Sequence, residues 1–275
     1  MRYDPAMWTY LLIALALLLT SVGQEAWANE PPALARARAL YNAGDFAGAI
    51  DSASAARKEA AWADAAALVV ARAHLEQYRK GANADDLSAA RMALGAVRAA
   101  ALTPRDQVDH IVGLGQSLYL GEIYGAAAEL FETALSRSSL LPARDRLLLL
   151  DWWATALDRE AQSRPADRRP RVFERIAARM HEEVRNDPGN PVANYWLAVS
   201  ARGAGDIEGA WNSAVAAWVR STLSPDTAAG LRDDLDRLVT QALIPERSRT
   251  LVTREPQDAA AALRTEWELV KSQWK

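Results

Sequence analysis

The side chains able to do chemistry in this chain are few and scattered. It has three histidines, His74, His110 and His181, and no cysteine. A zinc-protease helix needs a second histidine four residues after the first, with a glutamate following the first. Neither His74-Leu75-Glu76 nor His181-Glu182-Glu183 is completed in that way, so each histidine reads as structural or surface. Gly113-Leu114-Gly115-Gln116-Ser117 has the look of a glycine-rich loop, but it lacks the G-x-S-x-G spacing and no predicted strand precedes it. Two carboxylates can share acid–base work when they face one cleft. Asp85-Asp86, Glu182-Glu183 and Asp233-Asp234 are neighbours on helix surfaces or at caps, where such pairs are common. The absence of cysteine excludes disulfides, thiolate catalysis, cysteine zinc sites and lipid attachment through an N-terminal cysteine. No catalytic group, metal site or cofactor is expected.

One cluster has binding chemistry. Arg164, Arg168, Arg169 and Arg171 crowd a stretch bounded by Pro165 and Pro170. Guanidinium groups there could meet anionic headgroups, a carboxylate-rich partner or a polyanionic glycan. The plain alternative is a solvated loop. The prolines predict an extended path through it.

The elements that must position these groups are helical. Alanine is abundant and β-branched residues are sparse, which favours helix. The formal net charge is −3 over 275 residues, with both signs interspersed. No basic stripe is present, so a nucleic-acid partner is not expected. Near the N-terminus, Arg2 precedes an apolar run over residues 8–19, and Ala26-Trp27-Ala28 follows as a small-x-small site. That layout predicts a signal peptide over residues 1–28, or else an uncleaved N-terminal anchor. The mature chain would be exported, and periplasmic if the source is a Gram-negative bacterium.

Three stretches share one pattern of helix, tight turn and helix. They run from Ala39-Leu40-Tyr41 through Gly44-Asp45-Phe46 to Ala56, from Leu114-Gly115 through Leu118-Tyr119 and Tyr124 to Ala134-Leu135, and from Leu197-Ala198 through Gly205-Asp206-Ile207 to Trp218. The pattern resembles the tetratricopeptide repeat, which has a period of about 34 residues. The resemblance implies an all-α fold, a right-handed α-solenoid of about five helix–turn–helix repeats. These would occupy residues 29–222, with C-terminal capping helices over residues 223–275. The second repeat carries a stretched turn over residues 80–86, and the fourth carries the arginine-rich insertion. A helix after Pro225 is expected to break at Pro245 and Glu246. Small residues at Ala37, Gly115 and Ala198 should let helices approach within a pair, and Phe46, Tyr124 and Ile207 should plug the crevice to the next.

In that family the first helices of the repeats line a concave groove. The matching positions here are Arg38, Tyr41, Arg72, Glu76, Gln116, Tyr119, Asp151, Thr155, Asp158, Tyr195 and Arg202. The other reading of each is an ordinary solvated helix position. Trp152 and Trp153 are adjacent, so they must face different sides of one helix. The last helix places Leu263, Trp267, Val270 and Trp274 on one stripe, either as a cap on the stack or as a plug in the groove. The resemblance implies a non-enzymatic exported scaffold that binds a protein or peptide, with cell-envelope complex assembly as its expected setting. The second reading is a periplasmic small-molecule-binding accessory subunit for solute uptake, which an enclosed aromatic pocket near the C-terminus would favour. A divergent helical enzyme is the third, and would require a cluster of buried titratable groups.

Overall fold

A computed structural model describes residues 30–251 and 256–274. The leader expected over residues 1–28 lies outside them. The described residues are all-α, with no strand among them. They divide into two compact units, one ending at Ala156 and the other beginning at Leu157.

The first unit is built from helical hairpins. Helix α1 (Pro32–Asn42) turns into α2 (Phe46–Ala56), α3 (Ala63–Gly81) into α4 (Ala84–Gly95), and α5 (Pro104–Leu120) into α6 (Tyr124–Leu135). Each turn has its own chemistry. Gly44 sits at φ 81°, where a Cβ would be strained, and Asp45 caps α2 by accepting from the Gly48 amide. Thr103 caps α5 in the same way, with Pro104 in the first turn. The expected long turn over residues 80–86 is instead short. Helix α3 continues to Gly81, Ala82 takes the left-handed conformation at φ 52°, and Asn83 caps α4. Each hairpin is closed by its own two helices. Helix α2 also packs on α3 and α4 on α5, and the first helices touch in series, α1 with α3 and α3 with α5. Ala37, Ala53, Ala66 and Ala90 are fully buried in these seams.

Gly115 serves the close approach expected of it. A Cβ there would lie 2.6 Å from the ring of Phe131, which is itself fully buried. Gly115→Val is therefore expected to lower the unfolding free energy by about 1–3 kcal/mol through overpacking. An equilibrium urea titration reads this as a lower midpoint with an unchanged slope.

Helix α7 (Ala143–Ser163) contains the boundary between the units. The second unit continues with α8 (Arg169–Asn186), α9 (Pro191–Gly203), α10 (Ile207–Arg220), α11 (Pro225–Leu238), α12 (Ile244–Thr250) and α13 (Pro256–Gln273). The arginine-rich stretch is not extended. Ser163 ends α7, a 3₁₀ turn covers Ala166–Arg168, and Pro170 lies in the first turn of α8, where a missing N–H costs nothing. The expected break at Pro245 is also absent. A π-helical turn over Val239–Leu243 joins α11 to α12, and Pro245 falls just inside α12. Widening the turn frees the backbone that a proline would otherwise disrupt.

The core of the second unit is aromatic. Trp211, Trp218, Leu235, Val239, Leu263 and Trp267 form one cluster. Trp267 lies edge-on to Trp218 and Trp211, with centroids 5.2 and 6.2 Å away. Helix α13 is held there by polar ties as well. The indole of Trp218 and the guanidinium of Arg232 both donate to the Trp274 carbonyl, at 3.0 and 2.9 Å. No helix among the described residues is long and apolar enough to cross a membrane.

Candidate functional site

One concavity of the first unit lies among α3, α5 and α7. Along α5, Arg105, Asp109, Val112 and Gln116 fall at steps of three and four, so they share one face. Asp145, Leu148, Leu149 and Trp152 do the same along α7. Together with Arg72 of α3 these residues line one narrow cleft. A smaller recess beside it is lined by Arg38, Tyr41 and Asp106, and Arg72 borders both.

Two separate groups of ion pairs line the two hollows. Arg38 reaches Glu30 at 2.9 Å and Asp106 at 3.3 Å. Arg72 lies 3.5 Å from Asp109, with its guanidinium 4.8 Å from the centroid of the Tyr41 ring. Arg105 contacts Asp109 at 3.4 Å and Asp145 at 3.1 Å, and donates to the Leu140 carbonyl at 3.0 Å. Burial opposes the charge on Arg72, but Tyr41, Asp109 and Glu76 outweigh it and hold its pKa above the ordinary arginine value. Burial raises the Tyr41 hydroxyl, against the pull of Arg72. Burial also raises Asp145; Arg105 offsets part of this and the neighbouring Asp109 adds to it.

Gln116 stands apart from both groups. Its residue is only 6% exposed and it lines the cleft. Among the described residues no hydrogen bond or ion pair involves its side chain.

The structure gathers some of the expected groove residues and separates others. Arg72 and Gln116 meet at the cleft, and Arg38 and Tyr41 at the recess. Arg38, Tyr41, Glu76 and Tyr119 are nine-tenths or more buried, as Gln116 is. Tyr41 packs on Phe46, and Tyr119 is edge-on to Tyr124 and to Trp152. Asp151 and Thr155 are half-buried on α7. Trp152 and Trp153 do diverge: Trp152 meets Tyr119 and Phe131, while Trp153 is fully buried.

Asp158, Tyr195 and Arg202 belong to the second unit. Arg202 makes a two-pronged ion pair with Glu246, at 2.9 and 2.7 Å. The Tyr195 ring is edge-on to that of Trp196. Asp158 accepts from the Gln162 amide at 2.7 Å. Burial pushes its carboxyl up to about 6, against the opposing pull of Arg159, Gln162 and Arg202. The unfolded chain loses this proton at lower pH, so the cost to stability grows as pH rises from the ordinary carboxylate value to about 6 and is constant above it. Asp158→Asn is expected to stabilise the protein by about 2–3 kcal/mol at pH 7.5. The gain should vanish near pH 4, and paired urea titrations at the two pH values measure it.

The sequence reading missed Arg105, Asp106, Asp109 and Asp145. The four-residue step from Arg105 to Asp109 was a usable signal for one pair. The pairing across helices, as between Arg38 and Asp106, has none. The histidines do without special chemistry. His74 Nδ1 is 2.9 Å from Asp86, His110 Nε2 is 3.0 Å from the Leu94 carbonyl, and His181 is exposed. Among the described residues no group of three histidine or carboxylate side chains is placed to hold a metal ion. Comparison with protein-family models, with curated proteins and with solved structures finds no match to this chain.

Proposed function

We propose that this chain is a non-enzymatic scaffold of tetratricopeptide-like hairpins, stacked as a right-handed solenoid, that binds a protein or peptide. In this reading residues 1–28 export it, and α11 to α13 cap its C-terminal end. One observation carries the proposal. Three helices, α3, α5 and α7, turn charged and aromatic side chains into a common cleft. Such a cleft offers apolar surface with a few fixed polar groups, which suits recognition of an extended segment. The serial contacts of α1 with α3 and α3 with α5 agree with a repeat stack. The rings of Trp211, Trp218 and Trp267 fill the space between their helices, so the solute-binding reading gains no aromatic pocket from them.

The test is capture of the tagged full chain from its own cells, with bound species identified by mass spectrometry. Leu148→Glu places a charge on the half-buried apolar wall of the cleft. A protein partner bound by the native chain and lost with Leu148→Glu supports the scaffold. No protein partner, or one that Leu148→Glu leaves in place, overturns this site. A co-purifying small molecule in place of a protein favours the solute-binding accessory subunit.

A further inference from the structure

We propose that the corner between α7 and α8 docks the second unit on an anionic lipid surface, with Arg164, Arg168, Arg169 and Arg171 meeting the headgroup phosphates. The inference goes beyond the scaffold reading and does not depend on it.

The corner is a charged projection. Residues 162–169 are exposed without a break, and so is Arg171 in the first turn of α8. The 3₁₀ turn over Ala166–Arg168 runs directly into that helix, which brings the arginines together. Arg169 donates to the Arg164 carbonyl at 3.0 Å and so ties the two ends of the turn. Residues 164–171 carry four arginines against one aspartate, Asp167, a formal charge of +3. Little of this is neutralised from outside. Arg164 pairs with Glu160 at 2.8 Å. Arg168 and Arg171 enter no hydrogen bond or ion pair among the described residues. The first turn of α8 holds no acidic residue, and exposed Glu174 is the next carboxylate along the helix.

The whole chain carries a formal charge of −3, so a membrane must be drawn by local charge. At about 0.1 M salt, charges more than about 10 Å apart are largely screened from one another. A leaflet that meets this corner therefore feels the arginines and not the sum over the chain. Each arginine close to an anionic leaflet strengthens binding by a factor of about five. A planar guanidinium also takes phosphate oxygens two at a time. The neighbours of the arginines select the class of partner. A protein interface ordinarily sets an apolar or aromatic centre inside a polar rim, and Gln162, Ser163, Pro165, Ala166 and Pro170 supply none. A nucleic acid follows a basic stripe, whereas Glu174 and Glu182 interrupt the exposed face of α8. A plane of headgroups requires accessible charge and no pocket.

The experiment is co-sedimentation of the full chain with two sets of large vesicles. One is pure phosphatidylcholine, and the other contains about one-third phosphatidylglycerol to supply an anionic surface. The neutral set reports what the apolar run over residues 8–19 contributes, so the ratio of the two affinities isolates charge. At about 0.1 M salt the anionic set is expected to bind about a hundredfold more tightly, and the preference should vanish at about 1 M salt. Arg168→Gln combined with Arg171→Gln should reduce the preference to about fivefold. Both side chains are exposed and unpartnered, so the melting temperature should not change. Arg36→Gln combined with Arg57→Gln removes the same charge from exposed positions of the first unit and should leave the preference intact. A native preference below about tenfold overturns the proposal, as does an equal loss in the two double variants. Release of the chain from anionic vesicles by polyglutamate at equal charge concentration would assign the corner to an acidic protein. Release by oligothymidylate would assign it to a nucleic acid, and either result overturns the lipid assignment.

Discussion

Replacing Asp109 with alanine is expected to lower the unfolding free energy by about 3–5 kcal/mol, enough to threaten folding of a marginally stable chain. The reason lies in what is left behind. Arg72 is nearly nine-tenths buried and cannot shed its proton. Tyr41 beneath it supplies a ring face and a hydroxyl, but Asp109 supplies the formal countercharge at the cleft. Arg105 would retain Asp145 and the Leu140 carbonyl, so the damage should concentrate on Arg72. A double variant tests that attribution. Arg72→Met combined with Asp109→Leu removes both charges and keeps the volume, and it should recover most of the loss. Urea titration of the two proteins side by side measures both values. A loss below about 1 kcal/mol for Asp109→Ala would show a pair that behaves as if solvent-exposed.

The second large effect belongs to Trp267. Trp267→Ala should cost about 3–5 kcal/mol, since the side chain is 1% exposed and fills the space between Trp211 and Trp218. Its indole also donates to Asp236 at 2.8 Å, alongside Lys271 at the same distance. Trp267→Phe keeps most of the ring and loses that bond, so it should cost distinctly less. The two variants together separate packing from hydrogen bonding. With Leu263 buried in the same cluster, α13 is packed into the core of the second unit. Deleting residues 256–275 is accordingly expected to abolish the cooperative unfolding of the second unit, read by far-ultraviolet circular dichroism. A deleted chain that stays folded and captures its partner more tightly would make α13 a plug instead.

Helical class and hairpin order were legible because both rest on local signals. Gly44 with Asp45 and Gly205 with Asp206 spell out the same turn, and the structure gives both glycines a positive φ and both aspartates a cap. The other turns of this kind use Ala82 and Glu122 in the left-handed region, where neither residue type is expected. That is why residues 80–86 read as a long loop. The arginine stretch misled for a related reason: a proline disfavours helix before it but suits the first turn after it. The cleft was half visible. Arg72 and Gln116 follow from repeat spacing, whereas Asp109 and Asp145 acquire meaning only when α3, α5 and α7 are side by side. Tyr119 was read as a recognition residue, yet Trp152 meets it edge-on, a contact no sequence spacing announces.

The π turn at Val239–Leu243 has a consequence for chain length. The buried stripe of α11 advances through Leu231, Leu235 and Leu238, passes into the wide turn at Val239, and continues at Leu243, Ile244 and Ser248. The second part is displaced by one position from regular helical phase, and the wide turn absorbs that surplus residue. Loss of one residue between 239 and 243 would leave an ordinary α-helix with both stripes still on the same core. The same loss within α11 or α12 would rotate everything beyond it by about 100° and bring polar positions inward. This helix therefore carries one slot where its length can change and its register survives.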